Sequence, residues 1–152
     1  MRIKSWVKAK KTDDYVLTKL KLNELSDIAL MEHAKFKIFE QFKIAGWLKE
    51  QATTTKAWKD LGLDRLSVAE VLEAAAFSTY VQYVLALNEK AKKIDFHNWK
   101  TLLGGGSETE FLVKVTTLVR KGRGITDLKL MVGSGSRSLE QEHNSIESPF
   151  VT

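Results

Sequence analysis

Apolar side chains along residues 1–132 recur three and four positions apart rather than alternating, which is the period of helices that pack through one face. Phe36, Phe39 and Phe42 are three apart, and so are Phe77, Tyr80 and Tyr83. Val84 and Leu87 extend the second stripe, which predicts a long helix over roughly residues 74–93. Helix starts are marked as well. Thr12 precedes Asp13 and Asp14, whose carboxylates suit the positive end of a helix dipole, and Ser26 and Ser67 stand before the apolar runs 28–31 and 68–72. Phe96, Trp99, Leu102 and Leu103 predict a short helix over 95–103, ended by Gly104, Gly105 and Gly106. Ser107 and Glu110 have the spacing of a capping box. Phe111, Leu112, Val115, Leu118 and Val119 follow as an apolar stripe that ends before Gly122 and Gly124. A last short helix is expected over 125–132, with Leu128, Leu130 and Met131 facing inward. From Gly133 large apolar residues become sparse, and so few cannot offset the entropy of ordering the chain. Residues 133–152 therefore read as a flexible tail unless Leu139, Ile146, Phe150 and Val151 dock on something.

The helical pattern repeats. Placing Trp6 on Trp47, a step of 41 residues, also places Leu20 on Leu61, Leu22 on Leu63, Leu25 on Leu66 and Ser26 on Ser67 without a gap. The same step brings Phe36 to Phe77, Phe39 to Tyr80 and Phe42 to Tyr83. Two copies of one helical unit predict an all-α helical bundle or short solenoid, made of two tandem modules and a C-terminal helical extension. The expected divisions are 1–45, 46–93, 94–132 and the tail 133–152.

Composition narrows the chemistry. At 152 residues and 43% hydrophobic the chain can fill an ordinary core, and without cysteine neither disulfides nor thiolate metal sites hold it together. Its apolar runs are far shorter than the roughly 20 residues a membrane span needs. No apolar stretch follows the basic start, so no signal peptide is expected within these residues. The net charge of +5 leans towards the first third of the chain, with Lys4, Lys8, Lys10 and Lys11 in its densest cluster. Those lysines, with Lys90, Lys92 and Lys93, form the basis of an alternative reading as a basic module binding nucleic acid or phosphoinositide. Nucleic acid is the less favoured partner, because the basic residues lack the groove-reading neighbours of a nucleic-acid footprint. His33, His97 and His143 lie in three separate segments, which disfavours a metal site. No nucleophile elbow occurs, and the glycines at 104–106 lack the lysine and hydroxyl of a phosphate loop. The chain is therefore expected to be no enzyme and to hold no cofactor. Trp99 and Leu102 have the aromatic-x-x-aliphatic spacing of peptides that add a strand to a receptor, but Trp58 and Leu61 share it inside the repeat.

The second copy carries a family resemblance. It contains Gly46, Trp47, Leu48 and Lys49, then Trp58, Leu61 and Leu63, then Phe77, Tyr80 and Tyr83 in an F-x-x-Y-x-x-Y pattern. This resembles the WY module of RXLR effectors from Phytophthora, downy mildews and their relatives, and residues 106–121 are similar to the L-type unit that links such modules. The resemblance implies that Trp47 packs against Tyr80 or Tyr83, and that Trp6 has Phe39 and Phe42 at the matching places. Trp6, Phe39, Phe42, Trp47, Trp58, Phe77, Tyr80 and Tyr83 would then form the structural core of the modules. It also implies a secreted protein that enters the host cell cytoplasm or nucleus, binds a host plant protein through helix surfaces and suppresses immunity without catalysis. The contact residues are not indicated by the pattern, and a homodimer is a further expectation for repeated modules. The RXLR and acidic EER elements of the family do not occur in these residues.

Overall fold

Thr12, Ser26 and Ser67 cap the helices expected after them, and Thr53, one repeat after Thr12, caps another. Thr12, Ser26, Thr53 and Ser67 accept hydrogen bonds from the amides three residues on. Ser67 and Glu70 form the full reciprocal box. The computed structural model describes residues 2–93, 102–121 and 124–135. Its helices are α1 (Arg2–Lys8), α2 (Asp13–Lys19), α3 (Asp27–Glu32), α4 (Phe36–Glu50), α5 (Thr54–Asp60), α6 (Val68–Glu73), α7 (Ala76–Lys93), α8 (Glu108–Val119) and α9 over residues 125–135, with a 3-10 turn at Leu63–Arg65. No strand occurs among the described residues, and the fold is an all-α bundle.

The repeat of 41 residues is visible in the backbone: α2 and α5 are separated by that step at both ends, and so are α3 and α6. Lys10 and Gln51, again one step apart, both sit in the left-handed region at φ 55° and 54°. Each closes a helix end, with Lys11 N bonded to Trp6 O at 3.0 Å and Ala52 N to Trp47 O at 2.9 Å. Lys21 and Gly62 form another left-handed pair, at φ 59° and 76°. One helix serves both copies. The first half of α4 carries Phe42 into the first core, its last turns carry Trp47 into the second, and no break occurs at residues 45 and 46.

The smaller core gathers Trp6, Val16, Leu20, Leu22 and Phe42. The larger one is built round Trp47, Trp58, Phe77, Tyr80 and Tyr83, and it also takes in Leu102, Leu103, Val113, Leu128 and Val132. The C-terminal extension is thus part of the second core.

Two faces of that extension differ from the sequence expectation. Helix α8 buries Glu110, Val113, Lys114 and Thr117, while Phe111 and Val119 of the apolar stripe are 57% and 69% exposed. The reason lies in the surface beneath. Thr54, Thr55, Tyr80 and the Gly105 carbonyl present a polar recess that Glu110 and Lys114 satisfy. An apolar face there would leave those groups buried without partners, at roughly 1–3 kcal/mol each. In α9 Leu128 and Val132 are buried as helix neighbours, Met131 is half-buried, and Leu130 points outward at 67% exposure instead of inward. This helix also continues beyond Val132 to residue 135, where a flexible tail was expected. Packing holds the extra turn: a Cβ on Gly133 would stand 3.7 Å from Leu72 Cδ1, and one on Gly135 only 2.9 Å from Leu112 Cδ1. Of the helix expected over 95–103, Leu102 and Leu103 are helical and buried, and the remainder lies outside the described residues, as do residues 136–152.

Candidate functional site

The helical spacing of the aromatic residues places them in pairs across neighbouring helices. Trp6 on α1 meets Phe42 on α4 edge to face, with centroids 6.3 Å apart. One repeat later Trp47 meets Tyr83 at 5.1 Å, and Trp58 stands edge-on to Tyr80 at 4.8 Å. Phe77 is fully buried, and Phe39 is half-buried between Phe36 and Phe42 at 6.3 and 6.4 Å. These side chains fill cores, and Trp47, Tyr83 and Tyr80 also hydrogen-bond through their polar tips. Trp47 Nε1 donates to Asp60 Oδ2 at 3.0 Å, Tyr83 Oη to the Ala52 carbonyl at 2.6 Å, and Tyr80 Oη to Glu110 Oε2 at 2.7 Å.

Burial, reinforced by the carboxylates of Glu110 and Glu50 respectively, pushes the phenols of Tyr80 and Tyr83 well above the ordinary tyrosine range. A raised folded value means stability present below the unfolded pKa of about 10 and lost as pH rises through it. The expected result is a steep loss of stability above about pH 10, shallower in Tyr83→Phe. Denaturant midpoints at pH 8 and pH 11 check this, and equal losses in the two proteins would refute it.

The buried polar groups were missed by sequence reasoning. Glu110 has the capping-box position, and Ser107 does accept its amide hydrogen at 3.2 Å. Its carboxylate, however, turns into the core to accept from Tyr80 and from Thr55 Oγ1 at 2.9 Å. Lys114, one turn on, donates to Thr54 Oγ1 at 3.1 Å and the Gly105 carbonyl at 2.9 Å, and lies 3.5 Å from Glu110. Any side chain at Gly106 would overlap the Glu110 carboxylate, so glycine is required beside the pair. Buried Glu40 on α4 likewise accepts from Thr79 at 2.8 Å and Gln82 at 3.0 Å on α7. Each such group joins helices through hydrogen bonds made inside the fold.

The surface holds a different feature. Between the α1–α2 turn and the second half of α4 lies an open cleft of roughly 460 Å³ whose floor includes Trp6, Phe42 and Trp47. Five lysines and three carboxylates line it. Asp13 is paired with Lys43 at 2.8 Å, and Asp60 with Lys56 at 2.7 Å. Burial alone would raise the Asp60 carboxyl, but the hydrogen bonds from Lys56 and Trp47 outweigh it and hold the group below the ordinary carboxylate range. Lys11 lies 4.5 Å above the Tyr15 ring, while exposed Lys10 and Lys49 have no ion pair among the described residues.

Neither a metal cluster nor a helix able to cross a membrane occurs among the described residues. His33 ends α3, where its Nδ1 accepts from the Lys35 amide at 3.1 Å; His97, Trp99 and His143 are outside the described residues.

No family model and no solved structure matches the chain. Over 132 residues, 87% of its length, it is 47% identical to the RxLR effector protein Avr1 of Phytophthora infestans (strain T30-4). The chain belongs to the oomycete RXLR effector family. It spans 64% of the length of that relative. In this RXLR effector the described residues combine buried aromatic pairs, no buried side-chain polar atom without a partner, and an open, lysine-rimmed cleft.

Proposed function

We propose that this chain is the effector portion of a secreted oomycete protein, delivered into plant cells, that binds a host protein through its helix surfaces and suppresses immunity without catalysis. The observation that carries this is the 47% identity to an RxLR effector across 132 residues. We propose further that its two repeated units are WY-type modules, at 1–45 and 46–93, with an L-type unit in 94–132. Support comes from the paired geometry of Trp6 with Phe42 and Trp47 with Tyr83, which a 41-residue repeat places in equivalent positions. The site of action is the host cytoplasm or nucleus.

Affinity capture from plant extract, followed by mass spectrometry, tests the reading. Retention of one host protein in moderate salt is expected. Recovery only of nucleic acid or phosphoinositide, lost as salt rises, would overturn it in favour of a basic module acting through its exposed lysines. Sedimentation of the same preparation measures self-association, for which a homodimer is the expected form.

A further inference from the structure

The repeat supplies an internal standard for the lysine-rimmed cleft, since every position of its first-copy wall has a counterpart 41 residues later. Most of those counterparts are buried, although Leu48, the counterpart of Val7, is half-buried and Gln51, the counterpart of Lys10, is exposed. Thr54, the counterpart of Asp13, is fully buried beneath Lys114 of α8. Tyr83 and Leu87, the counterparts of Phe42 and Gly46, lie in one core with Leu102, Leu103 and Val113. Among the described residues no segment lies over the first copy as 102–119 lie over the second, and the same wall is the open cleft.

Gly46 is the second observation. It stands inside the 15-residue helix α4, where glycine is unfavourable relative to alanine. No close neighbour requires it, because nothing lies within 4 Å of where its Cβ would be. Where the second copy fills the place with Leu87, the first leaves it vacant and lines it with cleft.

We propose that this cleft is a docking groove for an amphipathic helix of a partner protein, which seats a leucine-sized side chain over Gly46 and sets acidic residues against Lys10, Lys11 and Lys49. The inference deepens the host-binding reading and rests on it. A helix is the fitting occupant because a Leu-Leu segment and helix α8 cover the corresponding wall of the second copy. Acidic flanks follow from the charge: Asp13 pairs with Lys43, Asp60 and the more distant Glu50 with Lys56, and five lysines against three carboxylates leave the positive excess on the rim.

The test uses the full chain, nitrogen-15 labelled, and a synthetic helix-forming peptide of about 14 residues with leucines at helical spacing and glutamates flanking them. Its control carries lysines in place of the glutamates. The expected result is movement of the Trp6 and Trp47 indole signals with the acidic peptide, and weaker binding of the basic one. Gly46→Leu should raise the thermal midpoint and weaken binding about tenfold or more. Gly46→Ala, a smaller filler, should act in the same direction, and Lys10→Glu with Lys49→Glu should reverse the peptide preference. Binding unchanged by Gly46→Leu and Gly46→Ala, equal binding of the two peptides, or no binding of either at millimolar concentration overturns the groove. The same variants in the plant-extract capture separate the two readings. A host protein still retained by Gly46→Leu refutes the groove alone, whereas no host protein retained by the unaltered chain refutes the host-binding reading.

Discussion

Lys114→Met destabilises the protein by about 3 to 5 kcal/mol, the usual consequence of leaving one charge of a buried ion pair without its partner. Lys114 and Glu110 are 2% and 0% exposed, so water cannot replace the lost ammonium. Tyr80 and Thr55 would still donate to Glu110, but two neutral donors compensate a carboxylate only in part. Thr54 and the Gly105 carbonyl would lose their partner too. The pair is therefore a device that sets how α8 lies on α5 and α7, and breaking it should be felt across the second core. The double variant Glu110→Leu with Lys114→Met is expected to recover most of the loss, because hydrophobic replacement of a whole buried pair is often neutral or stabilising. Urea denaturation of the two single variants, the double variant and the parent gives the coupling directly. Additive losses would show that the two charges do not act as a pair.

Trp47→Ala is expected to cost a similar amount, about 3 to 5 kcal/mol, through a different route. The ring is 3% exposed, packs on Tyr83 and donates to Asp60, so truncation opens a cavity in the larger core and removes a hydrogen bond that favours the Asp60 carboxylate. The same substitution at Trp6 removes a ring of equal size from the smaller core, beside a half-buried Phe39. Its cost should be lower, since a small core with half-buried neighbours collapses round a lost ring more easily than a large closed one. Thermal and urea denaturation of both variants rank the two modules, and a larger loss at Trp6 would show that the first copy, not the second, dominates stability. Either loss of fold would abolish partner binding without reporting on the contact surface. Gly46 is the better position for that question, because substitution there leaves the cores intact.

The linear order of residues determined the helices, their caps and the repeat. Those depend on neighbours three and four apart, and the 41-residue step is a property of the chain itself. Thr12, Ser26, Thr53 and Ser67 cap helices wherever the helices pack, and the aromatic stripes of α4 and α7 are buried apart from a half-buried Phe39. Tertiary structure decided the facing of α8. Its apolar stripe, Phe111, Val115 and Val119, looked like the inward face until Thr54, Thr55, Tyr80 and Gly105, distant in sequence, met Glu110 and Lys114. Periodicity shows that a helix has two faces; the polarity of the surface it meets selects which one is buried. The cleft was equally illegible, since it arises from what the first copy lacks beside the second, and an unfilled place has no residue to announce it. Gly46 was the one trace of it in the sequence, and its meaning depends on Leu87 being buried where Gly46 is open.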